Sequence, residues 1–204
     1  MQSRRDLFRI FPSGAAACLG CASLALCAEQ SKDQSASQEP SPGPGANAGM
    51  TWEEAFKFRY QGYARILKKL SSRIGSDRFL EMLREASSAA VSENATSKAK
   101  SEPGRELENF VLFFTTRLMP RPIYRSALVW EIAENSETAF EIRVSRCLWA
   151  TTFRAEDAGE IGYASVCYAD YAATAAMDPG IKLIRTKTLM QGHDCCNHRF
   201  VAAG

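Results

Sequence analysis

Leu128-Val-Trp130-Glu-Ile132-Ala-Glu-Asn135-Ser136-Glu137-Thr-Ala-Phe140-Glu-Ile142-Arg-Val144-Ser-Arg146-Cys147 is the stretch where the hydrophobic period of the chain changes to two. Leu128, Trp130 and Ile132 alternate with Val129, Glu131 and Ala133, and Phe140, Ile142 and Val144 alternate with Glu141, Arg143 and Ser145. Period two places alternate side chains on opposite faces of a strand, and Asn135-Ser136-Glu137 supplies a turn between the two runs. The stretch therefore predicts an antiparallel hairpin with one face on a core.

Upstream the period is helical. Thr51 with Glu54 forms a capping box, and Trp52, Phe56, Tyr60, Tyr63, Leu67, Leu70 and Ile74 recur at three- and four-residue spacing before Gly75. Ser76 caps a second helix carrying Phe79, Leu80, Met82, Leu83 and Ala86. A third runs from near Arg105 through Leu107, Phe110, Val111, Phe114 and Leu118 until Pro120 and Pro122 stop it. Aromatic stripes at helical spacing are core far more often than cofactor pockets.

Downstream, Cys147 closes the hairpin before a short helix over 148–154. A longer helix spans 157–175, ended by Met177-Asp178-Pro179-Gly180, and strands follow over 181–189 and 196–202, joined by a loop at 191–194. Helices first, then a small antiparallel sheet with helices inserted, make an α+β domain over 50–204.

Ahead of it, Ser3-Arg4-Arg5-Asp6-Leu7-Phe8-Arg9 precedes an apolar, small-residue run from Phe11 to Ala28 that Pro12, Ser13 and Gly14 interrupt. The pattern reads as a twin-arginine (Tat) signal peptide over 1–28. It predicts an exported, periplasmic protein that engages the Tat machinery and keeps no stable membrane helix once processed. Cys21 and Cys27 are rival lipid-anchor points, though neither follows a good lipobox. Residues 29–49 are Ser, Gln, Pro and Gly with scarcely an apolar side chain, a composition that stays disordered as a tether.

Removing 1–28 takes away Arg4, Arg5, Arg9 and Asp6, so that the 25 basic and 23 acidic residues of the chain become equal in number. A neutral domain lacks the cationic footprint of a nucleic-acid binder. Of seven cysteines, Cys147, Cys167, Cys195 and Cys196 remain. With His193 and His198 they are donors of the kind that suits zinc, and outside the cytoplasm they are also candidates for disulfides such as Cys147 with Cys167 or Cys196. Metal spacing is weak, since no C-x-x-C or H-x-x-x-H pair lies in the domain. His193 reads as a loop residue, and His198 shares strand parity with Cys196 and Phe200.

Three features belong together: Cys147 ending a strand, Cys167-Tyr-Ala169-Asp170 on a helix, and Arg185-Thr-Lys187-Thr188-Leu-Met-Gln-Gly192 leading to Cys196-Asn197-His198-Arg199-Phe200. In these the chain resembles the L-2-amino-thiazoline-4-carboxylic acid hydrolase family, over roughly Trp52 to Val201. It departs from that pattern at Ala169, where an Arg is expected, and at Asn197-His198, where Asp-Phe is usual.

The resemblance implies a hydrolase that opens a small cyclic amidine bearing a carboxylate. Opening requires attack at the carbon between sulfur and nitrogen, a base or thiolate, and an acid for the departing atom. It nominates Cys147, Cys167, Asp170 and Cys196 as catalytic, and Arg185, Thr188 and Gly192 as substrate-binding, with Arg185 or Arg146 pairing the substrate carboxylate. At a helix N-terminus Cys147 is the expected thiolate, with Asp170 as the proton-transfer group. The competing expectation is a non-catalytic exported domain that binds a small molecule or metal, its cysteines structural.

Overall fold

The computed structural model describes residues 49–94 and 106–202. The stretch expected to be a signal peptide, nearly all of the expected tether and residues 95–105 lie outside the described residues.

Helix α1 (Trp52–Ile74) starts with the predicted capping box: the Glu54 amide donates to Thr51 Oγ1, and the Thr51 amide donates to the Glu54 carboxylate at 2.8 Å. Gly75, at φ 98°, ends it, a backbone state that glycine adopts without steric penalty. The Gly75 carbonyl accepts from the Phe79 amide, so this residue, and not Ser76, joins α1 to α2 (Ser76–Asn94).

Helix α3 (Glu106–Phe113) runs into a wide helical turn at Phe114–Leu118. Pro122 does more than stop it. Proline's missing N–H costs nothing at the first helical position, and Pro122 opens α4 (Pro122–Ala127), which the periodicity did not reveal.

The hairpin forms as β1 (Leu128–Asn135) and β2 (Ala139–Cys147), followed by α5 (Leu148–Ala155). The long helix is built in three parts: α6 (Gly159–Gly162), a wide turn at Tyr163–Cys167, and α7 (Ala169–Met177). Strands β3 (Ile181–Ile184) and β4 (Cys196–Ala202) complete an antiparallel sheet of order β1-β2-β4-β3. Among the described residues, no helix is long and apolar enough to cross a membrane.

Two departures from simple alternation matter. Val129 pairs with Arg146 but Trp130 pairs with Val144, so Ser145 is an extra residue in β2. This bulge turns the parity, so that Cys147 packs on the core while Arg146 lies outside, 3.2 Å from Glu53. Ile132 keeps its register opposite Ile142 but is exposed on the edge strand, where alternation put it inside, and a second irregularity follows between Ile132 and Glu134.

The second departure is β3, expected to reach residue 189. It leaves the sheet after Ile184 because Asn197 takes over its hydrogen bonds. Asn197 Oδ1 accepts from the Thr186 and Lys187 amides at 3.0 and 2.7 Å, and Nδ2 donates to Thr186 Oγ1. A short 3-10 turn, Leu189–Gln191, follows.

The core has two parts. One packs α1 on α5 through Phe56, Tyr60, Trp149 and Phe153, with the Phe56 and Trp149 rings edge-on at 5.0 Å. The other packs α3 on the sheet through Phe110, Phe114, Phe140 and Phe200. Each buried Phe of this kind contributes about 1.5–3 kcal/mol. Tyr124, Leu128, Cys147 and Leu189 pack against both parts, so the predicted site residue Cys147 sits at their junction.

Candidate functional site

Arg185 is the hub. Its side chain is 1% exposed, beneath Tyr163 and Tyr171, whose ring centres lie 5.6 and 5.0 Å from the guanidinium carbon. Nη1 donates to Asp170 Oδ2 at 2.7 Å, and Nη2 donates to the Cys167 carbonyl at 2.7 Å. That carbonyl is free because of the wide turn before α7: the Tyr171 amide, which would close a regular turn on it, bonds Tyr168 O instead. A buried guanidinium without such partners would be strongly destabilising.

His198 completes the cluster. Its Nε2 stands 3.1 Å from Arg185 Nη1 and 3.6 Å from Asp170 Oδ2. A guanidinium only donates, so the shorter contact makes Nε2 an acceptor and places the ring proton on Nδ1, which is buried without a partner among the described residues. The longer contact exceeds hydrogen-bond length and becomes an ion pair only if the ring takes a second proton.

Burial raises the Asp170 carboxyl, but the charge and the hydrogen bond of Arg185 outweigh it and hold the group below its ordinary value. Asp170 keeps 47% of its side-chain area open although protein surrounds it. The two facts agree because the open area faces a cavity of about 150 Å³ between α7 and the sheet. Its walls are apolar, among them Phe114, Leu118, Ile142, Val144 and Met177, and Asp170 and His198 form its polar end. Tyr124 also lines it; burial pushes that hydroxyl up to about 12, leaving a neutral phenol.

The thiols gather behind this wall. Asp170 and Cys196 both act electrostatically on Cys147, and Cys167 feels Asp170, Arg185, Cys147 and Cys196. Burial pushes the Cys147 thiol up to about 12, against the Ala150 and Trp149 amides at the start of α5, which favour the anion. The helix N-terminus is thus in place, but desolvation wins. Burial also raises Cys167 well above the ordinary thiol range, and it raises Cys196, whose Sγ accepts from the Leu189 amide at 3.2 Å. None of the three lines the cavity.

All four cysteines of the domain are free, so the anticipated disulfides are not formed. Among the described residues no group of three or more His, Cys, Asp or Glu side chains is placed to hold a metal ion. The donors that suited zinc in composition do not fit it in space.

Cys147, Cys167, Asp170, Arg185 and Cys196 are therefore brought together, and Thr188 and Gly192 are not part of the same cluster. Thr188 is buried and its hydroxyl accepts from the Gln191 amide, closing the 3-10 turn. Gly192, at φ 93°, ends that turn and borders a separate open groove with Arg154 and Lys68. His193 is exposed, its Nδ1 on the Thr188 backbone. Sequence reasoning gave no role to His198, Asn197, Tyr163 or Tyr171. Strand parity with Cys196 was the one available signal for His198.

A family model described as L-2-amino-thiazoline-4-carboxylic acid hydrolase matches residues 55–200. No curated protein and no solved structure matches the chain.

Proposed function

Because the chain belongs to the L-2-amino-thiazoline-4-carboxylic acid hydrolase family, we propose that it is a hydrolase opening a small cyclic amidine in the cavity capped by Asp170 and His198. The observation that carries this reading is an ionised carboxylate at the polar end of a mostly apolar, ring-sized space. Such a carboxylate can take a proton from a water molecule as it attacks the carbon between sulfur and nitrogen. The same proton then passes to the departing ring atom, so that one water is consumed and the carboxylate is restored. His198 Nε2 accepts from Arg185 and so helps to hold the guanidinium against Asp170. The thiols support the wall, and Arg185 sets the position and charge of Asp170.

The test is loss of the ring of 2-amino-thiazoline compounds, the 4-carboxylate included, followed by NMR with purified protein. Asp170→Asn should abolish turnover with its thermal transition retained, whereas Cys147→Ser should keep most of it. Full turnover by a folded Asp170→Asn variant would falsify the reading.

One observation favours the alternative, a binding domain without catalysis. Asp170 is already engaged by Arg185 and held below the usual carboxylate range, which makes it a weak base. That reading gains if the ring compounds bind and are recovered intact.

A further inference from the structure

We propose that the outward face of α1 is a docking surface for an anionic membrane, on which the helix lies flat with Phe58 and Ile66 among the lipids and Lys69 and Arg73 at the headgroups. The proposal is independent of the hydrolase reading, because these residues are on the side of α1 turned away from the core.

The helix is apolar on two sides. Phe56, Tyr60, Ala64 and Leu67 are buried and face the core, as an amphipathic helix requires. At about 100° per residue, Phe58, Ile66, Lys69 and Arg73 point away from them. There Phe58 is 73% and Ile66 62% exposed, with Leu70 at the margin at 43%. Single exposed apolar side chains are ordinary, but three along one helix mark a surface that binds.

Charge identifies the occupant. Helix α1 carries six basic residues against two acidic ones, although the chain after residue 28 is balanced. Both acidic residues are in the first turn, and Lys57 pairs with Glu53 at 2.7 Å. Arg65 is held by Glu156, whereas Arg59, Lys69 and Arg73 are exposed along the same stretch as the apolar side chains. Cations interleaved with large apolar side chains fit the boundary between acyl chains and anionic headgroups, where each finds its own medium. From Phe58 to Arg73 the helix runs about 22 Å, long enough to engage several lipids at once.

A second copy of the chain fits this face less well. Antiparallel pairing would seat Ile66 over the other copy's Gly62, whose missing Cβ faces open space among the described residues. The same register sets Arg59 opposite Lys69 at both ends, and like charges brought together in this way oppose association.

Hydroxyl-radical footprinting of the full chain, read by mass spectrometry, tests the proposal. It reports each side chain separately, so any membrane affinity of the residues before 49 does not mask the result. The probes are vesicles of phosphatidylcholine with phosphatidylglycerol and vesicles of phosphatidylcholine alone. The anionic vesicles should slow oxidation of Phe58 and Ile66 at least about fivefold, as burial of an interfacial helix face requires. Leu112, 61% exposed on α3, should be unaffected. Lys69→Glu with Arg73→Glu should remove the protection with the fold retained, since both side chains are exposed. No protection, equal protection of Leu112, equal protection by phosphatidylcholine alone, or protection indifferent to the double variant overturns the proposal. So does suppressed oxidation of Phe58 before vesicles are added, whether a second copy or another part of the chain covers it.

Discussion

Arg185 reaches back eighteen residues along the chain to accept no partner but to supply one, donating 2.7 Å to the Cys167 carbonyl that the wide helical turn leaves open. Through the same guanidinium it fixes Asp170, so one side chain ties the end of β3 to the start of α7 and sets the site's charge.

Arg185→Met should therefore destabilise the fold by about 2–3 kcal/mol in urea titration. Breaking a fully buried pair costs about 3–5 kcal/mol, and the discount reflects Asp170's open side, which solvent in the cavity can screen. A change within about 0.5 kcal/mol, the range of ordinary surface substitutions, would show that the pair contributes little.

Acid should unfold the protein partly through this group. The Asp170 carboxyl has a folded pKa below its unbound value of 3.8, so the folded state holds the proton less readily than the unfolded one. Its contribution is complete above about pH 5 and is lost as pH falls through the lowered value. Melting temperature against pH should show a steeper acid limb for the unaltered protein than for Asp170→Asn. Parallel curves would contradict the lowered pKa.

The thiols should be slow. With Cys147 pushed up to about 12 and Cys167 raised by burial well above the ordinary thiol range, neither is a thiolate at pH 8, and both should resist iodoacetamide until denaturant is added. Mass spectrometry of timed samples checks this. Alkylation of Cys147 in folded protein at the rate of a free cysteine would restore it as a nucleophile.

Gly162→Ala should cost about 1–3 kcal/mol by overpacking. A Cβ there would stand 2.6 Å from Met190 Sδ and 2.8 Å from Phe153 Cγ; the thioether can move, but the fully buried ring cannot. Chemical denaturation measures it, and an unchanged midpoint would mean that the α5–α6 contact yields.

We also propose export through the twin-arginine route, on Arg4-Arg5 ahead of the apolar run. Arg4→Lys with Arg5→Lys should leave unprocessed precursor inside the cell. Normal processing of that double variant would end the proposal.

What was legible in the sequence follows period and punctuation. Thr51, Glu54 and Gly75 bound α1 because caps and left-handed turns have few residue solutions, and Phe140, Ile142 and Val144 marked the inner face of β2 because nothing interrupts them. The illegible parts depend on one-residue shifts that composition does not announce. The surplus Ser145 chose Cys147 over Arg146 for the interior, and Asn197 ended β3 early by supplying bonds from its side chain. The residue types of the site were visible, but its charge state was not. Whether Cys147 is thiol or thiolate depends on how far burial outweighs two backbone amides, a balance that exists only once the two halves of the core close around it.

The wide turn at Tyr163–Cys167 also makes chain length itself a determinant here. A helix with one residue more than its regular count carries everything beyond it around the axis by about 100° relative to an uninterrupted helix. Deleting any single residue between Gly162 and Tyr168 would let the helix regularise, and in doing so would swing Asp170 away from Arg185 and close the Cys167 carbonyl back into its own backbone. Point changes in this segment alter a side chain, whereas a one-codon loss would unship the whole polar end of the cavity.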